Sequence, residues 1–212
     1  GVMLDAETAQ APFAALVAEA CYKAGAKWVE VNWSYQPLTK LDYRARALTI
    51  LRGYLDDFNA QELADAIASA YEAAKFDDAA IAPTKKLDSN THVLELFHGP
   101  TLAFKDMALQ ILPHLLTKAI GKTGESNKVV ILVATSGDTG KAALEGFANV
   151  KDTEIIVFYP EDGVSAIQKR QMLTQTGDNV RVIGIKGNFD DAQRGVKAVS
   201  YTHLRAHETR HD

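Results

Sequence analysis

KVVILVATSGDTGKAALEGF, residues 128–147, reads in three parts of different physical character. Val129, Val130, Ile131, Leu132 and Val133 form an unbroken apolar run, which suits a strand covered on both faces of a sheet. TSGDTG interrupts it with small and polar residues, and KAALEGF then resumes with apolar positions at helical spacing. A buried strand, a short glycine-bearing turn and a helix are the repeating unit of a parallel sheet. The same alternation continues on either side: apolar runs lie at 93–97, 155–159 and 180–185, and helical patterns begin near Lys105, Thr139, Val164 and Phe189. The expected fold class is therefore α/β, a partial parallel sheet with helices on both faces, preceded by a small helical region.

Upstream the pattern changes. A helix is expected from Pro12, a good first-turn residue, to Lys23, with Gly25 as its stop and a short strand at 28–33. From Asp42 two helices follow, the second opened by Asn59 with Glu62 three residues on, the spacing of a capping box. Residues 75–90, with Pro83 and paired acids, read as a loop. The expected organisation is an αβ segment over 1–40, a helical region and linker over 41–90, an α/β domain over 91–200, and a tail over 201–212 outside the fold.

The 212 residues carry a formal charge of -4 with lysines and arginines scattered, so there is no basic field to hold a nucleic acid. No apolar run reaches the roughly 20 residues that cross a bilayer. A single cysteine, Cys21, makes no internal disulfide and suits a reducing, cytoplasmic setting.

Ligands of open α/β sheets bind beyond the carboxyl ends of strands. Three junctions of that kind carry unusual sequence. At 98–106, Lys105 stands at a helix start among Leu102, Ala103 and Phe104. Desolvation and a helix N-terminus would favour its neutral amine, able to form an imine with an aldehyde; the alternative is a lysine that snorkels to water. At 135–140, Ser136, Gly137, Asp138, Thr139 and Gly140 either offer backbone N–H groups to an anion or form an ordinary turn in which Asp138 or Thr139 caps the helix. The GxxxxGK[ST] spacing of a nucleotide-binding loop is absent. At 187–193, Asn188, Asp190, Asp191 and Gln193 gather at a helix start, where acids serve equally as caps.

Four segments, FHGPTLAFKD (97–106), TSGDTG (135–140), YPEDGVSAIQKRQM (159–172) and GNFDDAQ (187–193), together with IAPTKKLD (81–88), resemble in order and approximate separation the motifs of threonine synthases. The resemblance covers about residues 42–200. It implies the architecture of fold type II pyridoxal-phosphate (PLP) enzymes, with PLP as cofactor and O-phospho-L-homoserine and water converted to L-threonine and phosphate. Carried residue by residue, it implies that Lys105 forms the imine with PLP and then moves protons, with His98 to Thr101 and Phe104 shaping its turn. Phe104 and Ser136 would touch the cofactor. Thr135, Ser136, Asp138 and Thr139 would face the substrate, and Asn188, Phe189 and Asp190 would form a second substrate-side loop. A small-molecule substrate is implied, with no nucleic acid and no membrane partner. A related PLP lyase or deaminase is the alternative, against which the GDTG loop weighs.

The sequence departs from that family at both ends. Residues 11–38, containing AEACYKAGAKWVEVNWS, resemble the start of a metallo-aminopeptidase family, without its metal ligands, so a chimera of two genes is a further alternative. At the other end the helix after Gly195 is expected to run only to about Ser200 before YTHLRAHETRHD. His203, His207 and His211 share one helical face there, but the tail has few apolar residues to pack and no metal is expected. The family's phosphate cradle for PLP is not among these motifs, so this polypeptide alone is expected to bind PLP weakly and not to turn over.

Overall fold

The computed structural model describes the backbone at residues 2–6, 29–33 and 43–208 and side chains at 43–202. The chain divides into two units, Gly1–Asp42 with Pro83–Val93, and Tyr43–Ala82 with Leu94–Asp212. In the first, β1 (Val2–Ala6) pairs in parallel with β2 (Val29–Trp33). The expected strand at 28–33 is thus β2, whereas the helix expected from Pro12 lies outside the described residues. A second small sheet pairs β3 (Thr84–Lys86) with β4 (His92–Leu94).

That pairing corrects two expectations. Residues 84–86 are a strand where a loop is expected, and the apolar run at 93–97 is no strand of the parallel sheet. Only its first two residues belong to β4, and Val93, Leu94 and Phe97 are exposed. A short apolar run shows that a strand can form but not which sheet receives it.

The second unit holds the α/β core. Strands β5 (Val129–Ala134), β6 (Thr153–Pro160) and β7 (Val180–Ile185) run parallel in that order. Ile131 lies beside Ile155, and Ile155 beside Val180, so alternate residues share a face. On one face Ile155, Val157 and Tyr159 pack against Ala143, Leu144 and Phe147 of α5 (Asp138–Phe147) and Met172 of α6 (Ala166–Leu173). The other face is met by α7 (Phe189–Glu208), whose Ala192 is buried. Helices therefore flank both faces, as expected, but cover the second incompletely: Val130 is 51% and Ile183 43% exposed.

The helix expected to stop at about Ser200 continues to Glu208. Each residue added to a nucleated helix adds one backbone hydrogen bond, and YTHLRAHE contains no proline or glycine to stop it. Among the described residues no cluster of His, Cys, Asp or Glu could hold a metal ion.

The helices at 42–82 belong to this same unit rather than to a separate region. Helix α1 (Tyr43–Leu51) and α2 (Ala60–Ala70) pack with α4 (Leu112–Thr123) around Ile67, Tyr71, Phe76, Ile81 and Ile111. The expected capping box is present: Glu62 N–H donates to Asn59 Oδ1 at 2.9 Å, and Asn59 N–H to Glu62 Oε2 at 2.8 Å.

Candidate active site

The turn before Lys105 is built around a buried carboxylate. Asp106 opens the one-turn helix α3 (Asp106–Leu109) and is fully buried. Its Oδ2 accepts from Thr101 N–H at 2.9 Å and its Oδ1 from the Thr101 hydroxyl at 2.7 Å. Gly99 lies so close that a Cβ there would stand 2.5 Å from Oδ2. Burial raises the Asp106 pKa against the lowering effect of the Thr101 bonds. Between these anchors Leu102 adopts the left-handed conformation at φ 61°, costly for a leucine, with its N–H donating to Gly99 O at 3.0 Å.

That geometry alters the expectation for Lys105. Leu102 and Phe104, the neighbours expected to desolvate it, are 67% and 55% exposed, because the turn directs them outward. Lys105 itself is half-buried, with Nζ 4.7 Å from the centre of the Phe104 ring. It stands at the cap position of α3 with helical backbone and makes no side-chain cap. The turn therefore fixes the backbone that carries the amine rather than enclosing the amine.

His98 anchors the other side of the turn. Its Nδ1 lies 2.5 Å from Asp77 Oδ1 and its Nε2 3.0 Å from Glu95 Oε2, and its carbonyl accepts from Asp77 N–H. The bond to Glu95 leads in raising its pKa, with Asp77 adding to it. Both ring nitrogens are thus committed to holding the segment in place.

At 135–140 the capping alternative does not hold. Helix α5 begins after Gly137, at φ 149° and ψ -96°, with no side-chain cap. Thr135 is buried, and its Oγ1 accepts from Gly137 N–H at 3.0 Å and Gly140 N–H at 2.9 Å while donating to Gly137 O at 3.2 Å. Its hydroxyl is committed to the loop's own backbone. Asp138 does not cap either, because its Oδ1 accepts from Gln168 Nε2 at 2.8 Å. Among the described residues none accepts from the N–H of Ser136, Asp138 or Thr139. Ser136 and Asp138 are exposed and Thr139 half-buried at this opening. Donors at a helix N-terminus stabilise an anion there.

The junction at 187–193 takes the other course. Asn188 N–H donates to Asp191 Oδ2 at 2.8 Å, and Asp191 N–H to Asn188 Oδ1 at 3.1 Å. Asn188 is therefore a cap, its side chain occupied within its own turn, and Phe189 and Asp190 stand exposed beside it. The structure joins 135–140 to the end of β6 and the start of α6, for which no individual role is expected: Thr135 N–H bonds Phe158 O, and Gln168 reaches Asp138. Sequence reasoning misses both Gln168 and Asp106. The Ser165-x-x-Gln168 spacing is the available signal for the first; nothing local marks Asp106 as buried.

No protein-family model matches the chain. It is 55% identical over 119 residues to threonine synthase of Pseudomonas aeruginosa, which covers 56% of this chain and 25% of that protein. It is 36% identical over 178 residues to threonine synthase of Saccharomyces cerevisiae, covering 79% of this chain and 34% of that protein. In structure it superposes on PLP-bound threonine synthase from Brucella melitensis with a TM-score of 0.68 at 38% identity, over 76% of this chain and 34% of that one. Over about three quarters of its length the chain is similar to threonine synthases in sequence and in structure. It spans a quarter to a third of the length of these relatives. The same likenesses do not favour the aminopeptidase alternative raised by residues 11–38, and the fold matches the threonine synthase structures.

Proposed function

We propose that this chain carries the lysine-bearing turn and a substrate-facing loop of a threonine synthase, a PLP-dependent lyase that converts O-phospho-L-homoserine and water to L-threonine and phosphate. The observation that carries the reading is the open start of α5, where Thr135 and Asp138 are bound elsewhere and the N–H groups of Ser136, Asp138 and Thr139 have no acceptor among the described residues. Those donors, with the Ser136 and Thr139 hydroxyls, bind and orient an anionic group of the substrate.

Lys105 fits a PLP-linking lysine in three respects. It is half-buried, it stands on a backbone pinned by Thr101 and Asp106, and no carboxylate among the described residues pairs with it. Lys105, Phe104 and Ser136 are the residues here that would hold PLP, which supplies an electron sink for charge developing at the substrate Cα. Lys105 Nζ takes the Cα proton and moves protons again as the Cβ proton leaves, phosphate departs from Cγ and water adds at Cβ. Phe104 keeps water from one side of the amine. Asp190 and Phe189 flank the same end of the sheet from β7. No helix among the described residues is long and apolar enough to cross a membrane; with the lone cysteine, this supports a cytoplasmic setting.

The test is covalent labelling. Incubation of the purified chain with PLP, borohydride reduction and peptide mapping should place the label on Lys105, and Lys105→Ala should remove it. Label spread over surface lysines, unchanged in Lys105→Ala, would overturn the proposal.

A further inference from the structure

Gln168 uses its amide at both ends. Oε1 accepts from Ser165 N–H at 3.3 Å and from the Ser165 hydroxyl at 3.0 Å. Nε2 donates to Asp138 Oδ1 at 2.8 Å. A backbone N–H can only donate and an ionised carboxylate can only accept, so the two partners fix which end of the amide is oxygen. The same side chain lies against Gly137, where a Cβ would collide with it. Ser165 and Gln168 form the capping box of α6, so the amide is held by a helix start and not by a mobile loop.

An aspartate in the first helical turn ordinarily settles toward the helix's own N–H groups, where it would compete with any anionic ligand. Here it is drawn to the neighbouring helix instead. We infer that Gln168 is the positioning residue of the 135–140 loop: it holds the Asp138 carboxylate and the Gly137 turn so that the N–H groups of Ser136, Asp138 and Thr139 remain for the substrate's anionic group. The inference rests on the reading of that loop given above.

The informative variant is Gln168→Glu. Glutamate and glutamine serve equally at the third position of a capping box, so the start of α6 is kept. The contact with Asp138 changes and one negative charge is added beside it, so amide hydrogen exchange at 136–139, which needs no anion, is recorded alongside the titration. An ionised glutamate sets one carboxylate against another, whereas a protonated one can again donate to Asp138. Two facing carboxylates raise the pKa of one of them, so the proton returns as pH falls toward about 5. Sulfate is a suitable probe because it stays dianionic across that range.

Amide shifts of Ser136, Asp138 and Thr139 are followed by NMR during sulfate titration of the chain. Near pH 7.5 Gln168→Glu should bind sulfate about tenfold more weakly than the parent, and near pH 5 within about twofold of the parent at the same pH. Equal affinity at both pH values overturns the inference, and so does weakened binding that does not recover near pH 5, which would mark general damage to the loop. If the parent shows no sulfate response, the anion reading of the loop fails. Gln168 is then judged on amide hydrogen exchange at 136–139. Faster exchange in Gln168→Glu near pH 7.5 that returns to the parent's rate near pH 5 supports its positioning role, and any other pattern overturns it.

Discussion

The loops at 135–140 and 186–191 follow neighbouring parts of one parallel sheet, open helices, and contain glycine at strongly positive φ and acidic residues. One closes on itself: Asn188 and Asp191 satisfy each other's backbone N–H groups. The other is held open: Thr135 turns inward, Asp138 is taken by Gln168, and three N–H groups are left without a protein acceptor among the described residues. What separates them is a neighbour. Both loops follow strands that lie beside β6, but the junction after β6 reaches only the first of them, through Gln168; the second meets its N–H groups from within its own turn. The same residue types thus serve as cap or as ligand frame according to what a third element offers them.

The largest expected effect comes from the two glycines. Gly137→Ala puts a Cβ into the Gln168 amide at φ +149° and should both lower stability by about 2–4 kcal/mol and abolish the sulfate response. Gly187→Ala, at φ +151° with a Cβ 2.7 Å from Asp191 Oδ2, should lower stability comparably and leave the sulfate response intact. Urea unfolding with parallel sulfate titration checks both, and loss of the response in both variants would break the contrast.

Next in size is Thr135→Val, which leaves the buried N–H groups of Gly137 and Gly140 without their acceptor, at a cost of about 1–3 kcal/mol. Thr135→Ser should recover most of that by the same urea measurement. Asn188→Ala removes only a cap, about 1 kcal/mol, with no change in sulfate affinity.

The smallest effects are in pH dependence, where two aspartates pull in opposite directions. The bond from Asn188 N–H, ahead of Arg194, lowers the Asp191 pKa, so its contribution is present above the unfolded value of about 3.9 and disappears as pH falls through the lower folded value. Burial raises the Asp106 pKa, so its contribution is complete below the unfolded value and is lost as pH rises through the folded one. Denaturation midpoints followed from acid to neutral pH should show a falling component that Asp106→Asn removes and Asp191→Asn does not.

Much of the fold could be read along the chain because it rests on local signals. The apolar runs of β5, β6 and β7, the Asn59–Glu62 capping box and the helix starts near 139, 164 and 189 depend on side chains within a few residues of each other. The run at 93–97 misleads because pairing partners are chosen at long range. The end of α7 misleads because sparse apolar residues do not by themselves interrupt a helix.

The candidate site divides the same way. Lys105 and the TSGDTG loop stand out through the resemblance of contiguous motifs to those of threonine synthases, whereas spacing alone leaves a snorkelling lysine and an ordinary turn open. Their surroundings do not stand out. That Leu102 and Phe104 face outward, that Asp106 is buried, and that Asp138 is bound by Gln168 instead of capping its own helix depend on the packing of other elements around these turns. Gln168 is 30 residues from Asp138 in the chain. Periodicity and turn chemistry act over a few residues, so they specify which strands and helices form. A hydrogen bond across two βα junctions exists only once the sheet has set those junctions side by side.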